Sequence, residues 1–337
     1  MPLPIPGSYS MRSAATRGSR SVLNPLLGNL TADPDYDIRN TIVVMGWARS
    51  GTTWLAEVLS AIPKSAILFE PLHTERVSEA AAAGFPVRDI LIPGEGSREQ
   101  KQFMQRVLRG QVLNWWTCSC NPVGRAIRPK VWIVKEIQAS YLIEWILGTF
   151  PIRRAILIVR HPCATIASRM SQGWAPNDAQ AKVKQGPARR KFPHLDDLCR
   201  HLKDPFEVMA ARWCIMNYVP LSLRPRPFHV IAYESLATRG VADLVPVFSD
   251  WGLPVPESLE PSLGRASSTT KASAIAGPSR RQSIEGWKKV LTPAQVDSIL
   301  GVVRNFGMDF YTEDPEPDYE RLHRTLATRP EGEGHNR

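Results

Sequence analysis

The sequence predicts an α/β protein: a P-loop-like, three-layer fold with a mainly parallel central sheet flanked by helices. Three observations predict it. Five short apolar, β-branched runs, at 41–45, 66–69, 131–134, 154–159 and 228–232, read as buried parallel strands. Patterns at helical spacing fill the intervals, the alternation that builds α/β sheets. Glycines at 46 and 51 interrupt the join between the first strand and the following helix. A glycine loop at that place leaves backbone N–H groups and a helix dipole facing an anion.

Composition narrows the class. The chain has 337 residues, 43% of them hydrophobic, enough for one large α/β domain. A net charge of +10 favours anionic ligands. The basic residues are scattered and form no nucleic-acid motif, so no nucleic-acid partner is expected. Five cysteines, an odd number, do not suggest a disulfide framework. Cys118 and Cys120 lack a second pair at metal-ligand spacing, so no metal is expected either. No apolar run is long enough to span a membrane, and the start lacks the apolar stretch of a signal peptide. The expectation is a cytoplasmic protein.

In chain order, residues 1–38 are rich in Pro, Gly, Ser and Arg and read as a flexible arm. They precede a domain at 39–312 and a charged tail at 313–337, frayed after Asp314. The helix after the glycine loop, at 53–62, places Leu55, Val58, Leu59 and Ile62 at helical spacing. Gly46, Gly51 and Thr53 nearly match the triphosphatase loop, but Thr52 stands where that loop needs Lys, and the cation sits earlier, at Arg49. A magnesium-dependent kinase or triphosphatase is thus an alternative that Thr52 disfavours. A non-catalytic polyanion-binding module is another. Glu70 ends the second strand, where α/β folds place site residues. His73, three residues on, is the alternative base to Glu70 and otherwise reads as a loop contact. A helix at 97–116 starts from Ser97, and Trp115 and Trp116 at its end read as core rather than as a sugar platform.

Lys135 follows the third strand and could instead pair with Glu136, as Glu70 could with Arg49. A helix at 139–150 stops at Pro151. Arg160 ends the fourth strand, Pro162 opens a helix, and Ser168 lies two turns in, on a face able to return to Arg160. Residues 173–205 read as a polar, basic loop, with Arg189, Arg190 and Lys191 either solvated or facing an acidic acceptor. Helices follow at 206–223 and 241–251, and Tyr233 and Glu234 between them read as structural. Residues 254–283 read as a loop. Thr292 caps a last helix that opens with Pro293.

The run Arg49-Ser-Gly-Thr-Thr-Trp-Leu55 resembles the 5′-phosphosulfate loop of sulfotransferases that use 3′-phosphoadenosine 5′-phosphosulfate (PAPS). Arg160 and Ser168, eight residues apart after a later strand, resemble the family's 3′-phosphate signature. The pattern resembles the Golgi carbohydrate and tyrosylprotein branch, without a membrane anchor. The resemblance implies a PAPS cofactor, its product adenosine 3′,5′-bisphosphate (PAP), and a hydroxyl-bearing acceptor, a carbohydrate first. It assigns Arg49, Ser50, Gly51, Thr52 and Thr53 to the 5′-phosphosulfate, Trp54 to the adenine, and Arg160 and Ser168 to the 3′-phosphate. Glu70 would be the general base, with Lys135 and Arg49 stabilising charge during transfer. Residues 279–293 resemble the segment that closes over PAPS, implying contacts from Arg281 and Ser283, though the family's Arg-Lys-Gly spacing is not reproduced.

Overall fold

Strand β1, Ile42–Met45, buries all four of its residues, as a strand covered by helices on both faces must. The same reason explains β2 (Ser65–Phe69), β3 (Val131–Lys135) and β4 (Arg154–Val159), which are buried almost throughout. With β5 (His229–Ala232) they form one five-stranded sheet in the order β2-β3-β1-β4-β5. Every pairing is parallel. The computed structural model describes residues 23–85 (apart from 24, 27 and 31), 90–173, 191–269 and 284–327.

The strand order fixes where a ligand can sit. From β1 the chain moves outward to β2 and back to β3 on one side, then crosses to β4 and β5 on the other. Loops leaving β1 and β4 therefore part company, opening a crevice at the strands' carboxyl ends. Helix α1 (Thr52–Leu59) follows β1, and α2 (Arg98–Leu108) starts with a capping box between Ser97 and Gln100. Helix α3 (Ala139–Thr149) precedes β4, and α4 (Pro162–Met170) follows it with Pro at its first turn. The long α5 (Pro205–Leu221) is opened by Asp204 and Glu207 in a second capping box. Helix α6 (Tyr233–Arg239) leaves β5 directly. Helix α7 (Pro293–Asn305) begins at Thr292, which caps it with Gln295. Trp145, Trp213, Phe248, Phe310 and Tyr311 are the largest fully buried side chains.

Several boundaries differ from the sequence expectation. Helix α2 stops at Leu108, not at Trp116, because Gly110 turns the chain with φ +66°. A Cβ there would lie 1.9 Å from the Trp132 ring, so only glycine fits. The stretch expected as one helix at 241–251 is a 3₁₀ turn, Gly240–Asp243, followed by a helix, Val245–Asp250. Short helices also occur at Leu195–Cys199 and Leu259–Leu263, within stretches expected as loops. Beyond Asp314 lies helix α8, Tyr319–Ala327, whose Leu322 is buried. Arg224 and Arg226 donate to the carbonyls of Thr325 and Leu326 at 2.9 and 3.0 Å, tying that helix down. Tyr36, inside the stretch read as an arm, is buried and donates or accepts at Thr41 Oγ1 over 3.2 Å.

Candidate active site

The turn from β1 into α1 is built by backbone conformations that few side chains accept. Gly51 has φ +95°, and a Cβ there would lie 2.5 Å from the Tyr233 ring. Gly46 passes so close to β4 that a Cβ would lie 2.5 Å from the Ile158 carbonyl oxygen. Arg49 adopts φ +78°, and the Ser50 amide donates to the Trp47 carbonyl at 2.9 Å. Helix α1 then starts with no side-chain cap. Ser50 is fully buried, and its Oγ has no hydrogen-bond partner in the structure. A buried orphan hydroxyl beside uncapped amides is the donor set of an anion site.

Arg160, at the end of β4, reaches this turn. Its Nη1 donates to the Arg49 carbonyl at 3.0 Å, and its guanidinium lies 4.3 Å over the Tyr233 ring. Arg49 in turn donates from Nε to Ser168 Oγ at 3.1 Å. Arg49, Ser50, Gly51, Arg160 and Ser168, distant in sequence, thus meet in the β1/β4 crevice. The ring of Trp54 lies 5.3 Å from that of Tyr233. Tyr233 touches both halves of this arrangement, a position its reading as merely structural missed. Its place directly after β5 was the available signal.

A buried polar layer backs Arg160. Trp213 of α5 donates its indole N–H to the Arg160 carbonyl at 2.9 Å. The Glu234 carboxylate accepts from the His161 amide and from the Tyr311 hydroxyl, both at 2.8 Å. His161 Nδ1 accepts from the Cys163 amide at 3.2 Å, so its Nε2 carries the proton and donates to the Thr312 carbonyl at 2.8 Å. Its ring stacks on Trp287 at 4.8 Å, joining the segment after 283 to the end of β4. Burial pushes Glu234 up to about 7 and, with the charges of Arg160 and Lys288 behind it, His161 down to about 4.

On the other side of β1, Glu70 and Lys135 end the paired strands β2 and β3. The Glu70 amide donates to the Lys135 carbonyl at 2.8 Å, and Lys135 Nζ forms a buried ion pair with Glu70 Oε1. Neither alternative pairing, Glu70 with Arg49 or Lys135 with Glu136, is formed by these atoms. Lys135 Nζ also lies 4.6 Å over the Phe69 ring. Glu70 holds φ +42°, a strained backbone of the kind that collects at functional sites. Its carbonyl accepts from the His73 amide at 3.2 Å and the Trp116 indole at 3.3 Å. Glu136 takes a different part: its carboxylate accepts from the Leu72 and Gln138 amides at 2.8 and 2.9 Å, pinning the turn that carries Glu70. Burial first, and then the charge of Glu70, pushes Glu136 up to about 7.

Arg281 and Ser283 lie outside the described residues, as do Arg189 and Arg190. Lys191 pairs with Glu144 of α3 rather than standing as part of a solvated run. Among the described residues, no helix is long and apolar enough to cross a membrane.

A family model described as "Sulfotransferase family" matches residues 41–257, from the strand that opens the glycine loop to beyond β5. The chain belongs to the sulfotransferase family. A search among curated proteins finds no match. Solved structures similar to this sulfotransferase include the sulfotransferase domain from the curacin biosynthetic pathway, 15% identical over 79% of this chain and 97% of that one, with a TM-score of 0.43. The sulfotransferase domain of the Synechococcus PCC 7002 olefin synthase is 16% identical over 81% and 97%, with a TM-score of 0.42. Mouse sulfotransferase SULT7A1, complexed with PAP, is 18% identical over 92% and 95%, with a TM-score of 0.40.

Proposed function

We propose that this sulfotransferase moves the sulfuryl group of PAPS onto a carbohydrate hydroxyl, with Glu70 as general base. The observation that carries this reading is the meeting of Arg160 with the Arg49 turn at 3.0 Å, in the crevice between β1 and β4. One doubly phosphorylated adenosine can then be gripped at both ends. The orphan Ser50 hydroxyl and the uncapped start of α1 suit the 5′-phosphosulfate. Arg160 offers a planar fork to the 3′-phosphate, and Ser168, whose hydroxyl accepts from Arg49, would add its oxygen. Trp54 gives the adenine an aromatic neighbour, and Arg281 and Ser283 would add contacts from the segment leading to Trp287.

When bound, PAPS supplies a sulfuryl group on a phosphate leaving group, which needs no metal to neutralise it. Glu70 takes the proton of the attacking hydroxyl, a contribution of ~10²–10⁴-fold. Lys135, bonded to Glu70, aims that carboxylate and faces the charge that shifts during transfer. Arg49 and the backbone amides of Gly51, Thr52 and Thr53 stabilise charge growing on the leaving phosphate, and such preorganised donors usually supply the larger share. Residues 39–312 form the catalytic unit in this reading, flanked by the arm at 1–38 and the tail at 313–337. The five cysteines form no disulfide, which suits a reducing compartment such as the cytoplasm.

The test is incubation with ³⁵S-labelled PAPS and a panel of saccharide, phenolic and small-alcohol acceptors, with and without excess EDTA. Label appearing on a saccharide, undiminished by EDTA, is the expected result. Transfer only to phenols would replace the acceptor. Activity lost in EDTA would favour a magnesium-dependent triphosphate enzyme instead.

A further inference from the structure

The pair Trp115–Trp116 lies beside Glu70 and takes no part in gripping the donor. The turn beneath it is stiff. The Asn114 side-chain oxygen accepts from the amides of Trp116 and Thr117 at 2.8 and 2.9 Å. The Thr117 carbonyl accepts from the Phe69 amide at 2.8 Å, so the turn is fastened to the last residue of β2. Trp116 is buried and donates to the Glu70 carbonyl, whereas Trp115 is 42% exposed. The two rings stand at 76° with centroids 5.8 Å apart. The guanidinium carbon of Arg76 lies 5.6 Å from both centroids. Asn114 also fixes the Arg76 backbone, donating from Nδ2 to its carbonyl at 3.1 Å. Arg76 is exposed, and its guanidinium has no carboxylate partner among the described residues. Glu79 is engaged by Arg106, and Glu75 is exposed.

An exposed indole and a guanidinium lying against it complement one kind of ligand: a ring with an apolar C–H face and an anionic substituent. The ring stacks on the indole, and the N–H edge of the guanidinium receives the anion in a bidentate pair. We propose that Trp115 and Arg76 form the acceptor subsite and that the acceptor is an anionic sugar, carrying a carboxylate or a sulfate. This rests on the reading of the protein as a carbohydrate sulfotransferase, and it names the substrate class for that site. The rigid link from Asn114 through Thr117 to Phe69 holds the sugar in register with Glu70, the next residue of the chain.

Saturation-transfer NMR titration of the full chain, saturated with PAP, tests this with three probes: methyl β-D-glucoside, methyl β-D-glucuronide and methyl β-D-glucoside 6-sulfate. At least one anionic glycoside binds about tenfold more tightly than the neutral one, the worth of one charge-assisted contact. Comparing the two anionic probes tells carboxylate from sulfate. Arg76→Gln removes the preference and keeps the glucoside. Trp115→Ala weakens all three about fivefold. Neither variant changes the affinity for PAP, which also shows that both are folded. Equal binding of the three probes, no binding of any, or a preference that survives Arg76→Gln overturns the subsite. If PAP binds and the sugars do not, only the anionic-sugar assignment falls. If PAP itself fails to bind, the sulfuryl-transfer reading falls with it.

Discussion

Lys135 and Arg160 end the two strands that flank β1, and each is backed by a buried carboxylate. Glu136 accepts the Leu72 amide across from β3, and Glu234 accepts the His161 amide across from β4, both at 2.8 Å. The likeness stops at the cations. Lys135 is closed on a carboxylate, Glu70, inside the protein. Arg160 instead donates to the Arg49 carbonyl and lies over the Tyr233 ring, at the glycine turn. A cation bonded to a carboxylate suits steering a proton acceptor, and a guanidinium fork set at a glycine turn suits gripping a phosphate. In the proposed reading, the difference between two otherwise similar strand ends divides the work: hydroxyl activation at β2–β3, donor binding between β1 and β4.

Substitutions can break that division. The largest effect is expected for Glu70→Gln, which should lower kcat by a hundredfold or more (~10²–10⁴-fold). Its dissociation constant for PAP, measured by calorimetry, should stay within about twofold. A loss of affinity equal to the loss of rate would merge the two ends into one binding site. Arg160→Ala should do the reverse, raising the same constant by about two orders of magnitude through lost charge-assisted bonds. Unchanged titration heats in that variant would remove Arg160 from donor binding.

The carboxylates sharpen the comparison through pH. A carboxyl raised in the fold, as Glu136 and Glu234 are to about 7, stabilises fully below 4.5 and loses that contribution as pH climbs to about 7. His161, lowered to about 4, works the other way: its contribution is complete above 6.5 and is lost as pH falls toward 4. At the β4–β5 end the two offset. At the β2–β3 end Glu136 has no such counterweight. Stability of the wild type to urea should fall between about pH 4.5 and 7, by on the order of 2–3 kcal/mol. Glu136→Gln should flatten that fall, and a slope unchanged in the variant would move its source elsewhere. The smallest effect is expected for Ser50→Ala. Its hydroxyl has no partner to lose, so the urea midpoint should hold, while affinity for PAPS drops about fivefold.

Much of this division was legible in the sequence. The strands announced themselves as apolar runs, and their bounds in the structure differ from the expected ones by one residue or less. The glycine loop, Glu70, Lys135 and Arg160 stood at strand ends or helix starts, positions that pattern alone can locate, and Ser168 was found by its spacing of eight from Arg160 in the family signature. Glu136 and Glu234 were not legible as buried groups. A lone acid after a strand looks like a surface charge until the neighbouring strand's amide is brought to it. Trp115 and Trp116 were expected to share one fate at the end of a helix. Instead Gly110 ends α2 early, and the turn stabilised by Asn114 sends one indole inward and leaves the other exposed. Residues 3.6 to a turn reveal a helix face, but a side-chain-capped turn has no period to read.

The most direct test is a crystal structure of the protein with PAP. The account predicts the 5′-phosphate on the amides of residues 50–53, the 3′-phosphate within hydrogen-bonding distance of Arg160 and Ser168, and the Glu70–Lys135 pair on the 5′-phosphate side of the nucleotide. A nucleotide bound outside the β1/β4 crevice, or lying in it with its two phosphates exchanged, would contradict it.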